Sequence, residues 1–341
     1  MDVATLRTQL KNAHPAPLYL VLGTQQVLLD QARAAFLALV PEAERVMNVG
    51  SYDLEETDLA TALDDAQSAP FFGERRLVLL NKPAFLTGNG SRGKVKQDPE
   101  LLLNYLKAPQ PSTVLVILAP YEKLDGRKAV VKALKKQAVQ VSAAPLSEQD
   151  ARRLIQARVQ QAGFHFGSGA LDELVRRTNA DYGLMMAHLP QLQLLAYQSK
   201  EIDSASVQGL VAQSLDENVF DLVTAVLQRH QEQALGLYRE LLAAQQQPLQ
   251  INAVLVSQFR LLLQVKILTA RGLSQATLAK QLKVHPYRVK LAAQTVRRFT
   301  LPALSQAYLG LVRIEKALKT TNRTPELLFQ LFLLQYSQKV S

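Results

Sequence analysis

The sequence predicts an α/β domain followed by all-α domains, and three observations carry that reading. Between Leu18 and Val141 short apolar runs alternate with amphipathic stretches, the pattern of βαβ units around a mostly parallel sheet. After Ala143-Ala144-Pro145 no further strand pattern is found. The 341 residues are about twice the ~100–200 usual for one domain, so each part is long enough to bury a core.

The strands are expected at 18–22, 46–49, 76–80, 113–118 and 139–141, with helices at 27–39, 58–66, 100–106 and 128–137. Together they make a nucleotide-binding-type α/β domain over 1–145. Ser147, followed by Asp150, offers a helix cap, and helices at 148–162, 168–178, 183–197 and 205–212 form a small helical module over 146–212. Residues 213–341 read as longer helices broken near Pro248, Gly272, Pro286, Pro302 and Pro325. The stretch 88–96, rich in Gly and Lys, reads as a mobile loop.

Composition excludes several functions. There is no cysteine, which removes disulfides, thiolate catalysis and Cys-ligated metal sites. The five histidines are scattered and show no metal-ligand spacing, and no catalytic serine or carboxylate pair stands out, so neither a cofactor nor a metal is expected. No uninterrupted apolar run approaches the ~20 residues that span a bilayer, and the amino terminus lacks the apolar core of a signal peptide. A cytoplasmic protein without a membrane span is the expectation.

Net charge is +10 and unevenly spread: 17 basic against 15 acidic residues in 1–145, 6 against 7 in 146–212, and 16 against 7 in 213–341. The last third could approach phosphate backbones.

A nucleotide site in such a domain needs a glycine-rich loop with Lys and Ser or Thr after the first strand. Here Gly23-Thr24-Gln25-Gln26 follows instead, with no second glycine and no lysine, and 76–80 runs into Asn81-Lys82 where metal-holding carboxylates belong. Gly88 to Lys94 matches G-x-x-x-x-G-K, but Val95 follows, and the segment does not join the first strand to its helix. A motor ATPase built on it is therefore one rival reading, and a solvated loop the plainer one. A second rival is a helix-turn-helix DNA-binding regulator using 274–294, whose Leu278, Ala279, Leu282 and Val289 have suitable spacing. Pro286 and Tyr287 occupy the start of its would-be recognition helix, and packing inside a helical bundle gives the same spacing.

Pro70-Phe71-Phe72-Gly73 is more informative. Two adjacent aromatics diverge on any regular element, and Pro70 and Gly73 bracket them in a turn. Either the pair caps the core, as Phe usually does, or it is displayed to a partner.

Over essentially its whole length the chain resembles the delta subunit family of the bacterial DNA polymerase III clamp loader. The matching residues are Leu20 to Gly23 with Leu28 and Leu29, Ser68 to Leu80, Glu122 to Lys128 with Lys132, Leu134, Lys135 and Lys136, and His285 to Lys290. The resemblance implies an AAA+-like parallel-sheet domain with a degenerate nucleotide site, a small helical lid and a C-terminal helical collar for loader oligomerisation. It implies a non-catalytic subunit of the DNA-directed DNA polymerase holoenzyme that acts in DNA replication. Such a subunit binds the sliding clamp and holds its ring interface open for loading. Its partners are the clamp, the loader ATPase subunits, the delta-prime subunit and, through the assembled loader, primed DNA. The family grips the clamp with an apolar pair just before the third strand, a place held here by Phe71 and Phe72 beside Pro70. Where some relatives place a DNA-stacking aromatic near the end of the collar, this sequence has Lys319-Thr320-Thr321-Asn322-Arg323, with none; attraction of phosphate by Lys319 and Arg323 is the remaining expectation.

Overall fold

Five parallel strands in the order β2-β3-β4-β1-β5 form the sheet of the amino-terminal half: β1 (Leu18–Leu22), β2 (Val49–Asp53), β3 (Arg76–Asn81), β4 (Thr113–Ala119) and β5 (Val139–Ser142). The computed structural model describes residues 1–12, 14–71, 73–88, 95–212 and 215–338. The expected loop at 88–96 and its phosphate-loop look-alike therefore lie largely outside the described residues. Helices α1 (Val3–Asn12), α2 (Gln26–Leu37), α3 (Arg45–Asn48), α4 (Leu59–Gln67), α5 (Pro99–Lys107) and α6 (Ala129–Gln137) connect or flank the strands.

Every residue of β4 is buried, as a central parallel strand covered on both faces requires. On one face Leu18 and Leu20 of β1 and Leu115 and Ile117 of β4 pack with Leu63 of α4, Leu102 of α5 and Leu134 of α6. On the other, Tyr19 of β1 meets Phe36 of α2 edge-on, ring centroids 4.8 Å apart. Strand order, parallel register and helices on both faces make this the AAA+-like sheet domain.

One expectation shifts and one helix is added. The strand expected at 46–49 begins only at Val49, because 45–48 form the single helical turn α3 and the strand continues through Gly50, Ser51 and Asp53. Helix α1, which no expectation covered, buries Val3 and Leu6.

The chain divides into two compact units, Met1–Pro145 and Leu146–Ser341. The second opens with α7 (Glu148–Gln161), β6 (His165–Phe166), α8 (Ala170–Arg177), α9 (Tyr182–Leu195), β7 (Glu201–Ile202) and α10 (Ser204–Leu210). The pairing of β6 with β7 corrects the strand-free reading of this half; two-residue strands are too short to leave a periodic signature. Ser147 caps α7 by accepting from the Asp150 N–H at 3.1 Å, as the sequence suggests.

The remaining helices, α11 (Leu215–Leu227), α12 (Gln231–Ala243), α13 (Pro248–Ala270), α14 (Gln275–Leu282), α15 (Pro286–Val296), α16 (Leu301–Thr320) and α17 (Pro325–Gln338), form a bundle. Helix α13 is long and apolar enough to cross a membrane by length and hydropathy. Its Ile251, Leu255, Phe259 and Val265, however, lie in the bundle core among Val223, Leu304 and Phe329. The rings of Tyr238 and Phe329 stack at 4.2 Å, and the buried Asn252 donates to the Leu311 carbonyl at 3.2 Å.

An ion-pair relay ties α7, α8 and α15 together: Lys290 to Glu148 at 2.7 Å, Glu148 to Arg152 at 3.1 Å, and Arg152 to Asp172 at 2.6 Å. Beside it, Glu173 receives hydrogen bonds from Arg176 at 2.8 Å and from Arg177 at 2.6 Å. Arg177 also donates to the Val211 carbonyl at 2.6 Å and so anchors the end of α10. The bond from Arg176, then that from Arg177, overcome the opposing effect of burial and hold the Glu173 carboxyl down to about 2. A carboxylate lowered on folding stabilises the fold above its unfolded pKa and loses that contribution as pH falls through the folded one. Glu173→Gln is therefore expected to flatten the acid limb of stability between roughly pH 4.5 and pH 2. Denaturant midpoints measured against pH check this, and an unchanged slope would refute it.

Candidate protein-interaction site

The region where a nucleotide would sit is built for packing. Gly23 follows β1 at φ +151°, and a Cβ there would stand 2.0 Å from the Ala143 carbonyl carbon. Its N–H donates to the Ala119 carbonyl at 3.2 Å, and the Gln25 N–H donates to the Ala143 carbonyl at 2.9 Å. A phosphate cradle presents such N–H groups to the ligand; here both are spent on the ends of neighbouring strands.

At the end of β3, the side-chain amide of Asn81 donates to the Ser51 hydroxyl at 3.2 Å and the Tyr52 carbonyl at 3.1 Å, while its oxygen accepts from Arg33. Lys82 follows in a left-handed conformation and reaches Asp53 at 2.6 Å and Glu55 at 3.6 Å. Burial pushes the Asp53 carboxyl up, but the Lys82 ammonium and the Glu55 N–H outweigh it and hold it below the usual carboxylate range. Where a motor would hold a metal, this chain has an amide cross-brace and a neutralised cation.

The aromatic turn is constructed differently. Asp58 caps α4 through the Ala60 N–H at 3.2 Å. The buried Gln97 fixes the same helix start, accepting from the Leu59 N–H at 2.7 Å and donating to the Leu54 and Thr57 carbonyls at 2.8 Å each. Helix α4 stops at Gln67, since Ser68 is extended and Pro70 cannot continue it.

Pro70 is half-buried, and Phe71 stands 66% exposed. Phe72 lies outside the described residues. The Phe71 N–H donates to the Asn48 side-chain oxygen at 2.8 Å, and Asn48 itself is fully buried. At the base of the turn Arg76 pairs with Asp65 and donates to the Met47 carbonyl at 3.2 Å. Gly73 turns the chain back at φ +78° against the Glu44 carboxylate.

Holding the backbone of an exposed ring limits the conformational freedom that would be lost if a partner covered it. The sequence marks Phe71 by composition but gives no hint of Asn48, whose contact spans 23 positions.

The collar residues are both exposed. Lys319 lies in the last turn of α16 and pairs with Glu315 at 2.6 Å, whereas Arg323 lies in the connection to α17. An exposed pair of this kind is weak enough to exchange for a phosphate. The helix-turn-helix look-alike packs inward: Leu278, Ala279 and Val289 belong to the bundle core and Tyr287 is buried. Of the two basic residues on its second helix, Lys290 is held by Glu148 and Arg288 is half-buried. Among the described residues, no cluster of His, Asp and Glu could hold a metal ion.

A five-stranded AAA+-like sheet whose first-strand loop is packed in, joined in one chain to a helical bundle, defines the fold class. Residues 19–144 match the family described as "DNA polymerase III, delta subunit", and residues 216–336 match "DNA polymerase III delta subunit, C-terminal domain". The chain is 35% identical to DNA polymerase III subunit delta of Bacillus subtilis over 327 residues, 96% of this chain and 94% of that protein. A probable DNA polymerase III subunit delta of Aquifex aeolicus is 27% identical over 224 residues, covering 64% of this chain and 63% of the other. Among solved structures, the Bacillus subtilis DNA clamp loader delta protein (YqeN) aligns with a TM-score of 0.74 at 34% identity, over 99% of this chain and all of that one. The chain belongs to the DNA polymerase III delta subunit family.

Proposed function

We propose that this chain binds the sliding clamp through Phe71 and Phe72, with Pro70 shaping the turn, and holds one interface of the clamp ring open so that the ring can be placed around primed DNA. The observation that carries the reading is the large exposure of Phe71 on a backbone fixed by Asn48. Opening is differential binding: a partner moves the clamp toward the open form only by as much as it prefers that form. No hydrolysis by this chain is involved, in keeping with the spent N–H groups of Gly23 and Gln25 and the Asn81 and Lys82 braces.

Residues 146–212 act as a lid, and 213–341 as the collar that joins the ATPase and delta-prime subunits. Support for the collar role comes from exposed apolar residues at helical spacing, Leu309 and Val312 on α16 and Leu327, Leu331 and Leu334 on α17. Lys319 and Arg323 contact DNA phosphate in the assembled loader, which works in the cytoplasm. The experiment is a titration of the purified chain against intact clamp and against clamp whose ring interface has been disrupted, with and without ATP. Binding should be independent of ATP and tighter to the disrupted clamp.

A further inference from the structure

The aromatic turn has a neighbour that the resemblance does not supply. Helix α3 is a single turn, and its two middle residues are among the more exposed apolar side chains of the protein: Val46 at 87% and Met47 at 54%. Scattered exposed apolar residues need no explanation, but two in succession beside an exposed Phe form a patch.

The chain itself fixes their nearness. Asn48, next in sequence, accepts the Phe71 N–H at 2.8 Å; Arg76 donates to the Met47 carbonyl at 3.2 Å; and Gly73 lies against Glu44. Arg45 is drawn back onto the Val40 carbonyl at 3.1 Å, which leaves Val46 and Met47 as the tip of the turn. Residues 44–48 are thus laced to Phe71, Gly73 and Arg76, and a protein surface that closes over Phe71 comes within a side chain's reach of Val46 and Met47.

We infer that Val46 and Met47 form a second apolar anchor on the sliding clamp, beside the contact made by Phe71. The inference rests on the clamp-binding reading and adds residues to it. Two anchors side by side also resist rotation about a single inserted ring, which a lever on another protein's interface requires. Met suits an anchor at a protein surface because its unbranched thioether adapts to the surface it meets.

Val46→Ser with Met47→Ser removes the apolar tip at exposed positions, so the melting temperature should stay unchanged while clamp affinity falls roughly tenfold. Because the chain has no cysteine, Val46→Cys also accepts a single environment-sensitive fluorophore. Its emission should shift to shorter wavelength when clamp is added. Retained affinity together with an unresponsive fluorophore, in a protein whose Phe71→Ala, Phe72→Ala variant does lose affinity, overturns this inference and leaves the clamp-binding reading standing. If the phenylalanine variant also keeps its affinity, the reading itself falls. Loss of assembly with the loader ATPase subunits at unchanged clamp affinity would place Val46 and Met47 on a different interface and overturn the inference as well.

Discussion

Replacing Phe71 and Phe72 together by alanine is expected to weaken clamp binding by ~2–4 kcal/mol, roughly 30- to 1,000-fold in affinity, while the fold and loader assembly persist. A phenylalanine seated in a partner's pocket buries ~150–200 Å², worth ~4–5 kcal/mol gross at ~25 cal/mol/Å². Association costs consume much of that sum, so the net loss is smaller than the gross. The fold should persist because Phe71, 66% exposed, gives little to the core of its own domain. Assembly should persist because the exposed apolar residues of α16 and α17, proposed above to join the other subunits, belong to the other compact unit. Titration calorimetry of the double variant against the clamp measures the loss, and unchanged affinity would refute the assignment of the turn.

Gly23→Val is expected to be the most damaging substitution in the former nucleotide loop, and the reason is structural. At φ +151° any L side chain is strained, and the added carbon would sit 2.0 Å from the Ala143 carbonyl carbon and 2.2 Å from its oxygen and from the Ala144 nitrogen. Backbone cannot step aside as a flexible side chain can. Displacing it breaks the hydrogen bond from the Ala143 N–H to the Leu22 carbonyl, and with it the pairing of β1 to β5. A cost of about 3 kcal/mol or more follows, which for a unit of this size lowers the melting temperature by roughly 10 °C. A melt within a degree or two of the parent would show that the loop has slack, and the account of Gly23 as a packing residue would be wrong.

Much of the fold was legible because parallel strands buried on both faces leave short apolar runs bounded by turn residues, as β4 does from Thr113 to Ala119 between Pro111 and Pro120. The second strand was misplaced for the opposite reason. At the sheet edge it is only partly buried and carries Gly50, Ser51 and Asp53, whereas the apolar pair Val46-Met47 just before it suggests a strand and is in fact exposed. The site was half legible. Phe71 stood out, but sequence alone left its burial open, and Asn48 was invisible because an asparagine gives no local sign of a contact 23 positions away. The degenerate nucleotide site was readable as missing residues. What replaced it, the Asn81 brace with Arg33, Ser51 and Tyr52, needed the tertiary structure.

The central claim, that this chain opens a ring by preferring its open form, is tested most directly by comparing its affinity for the intact clamp with that for a clamp whose ring interface has been disrupted by substitution. The account predicts at least tenfold tighter binding to the disrupted clamp, and loss of binding to both forms when Phe71 and Phe72 are replaced. Equal affinity for the two forms would contradict it, because a ligand indifferent to two shapes shifts neither.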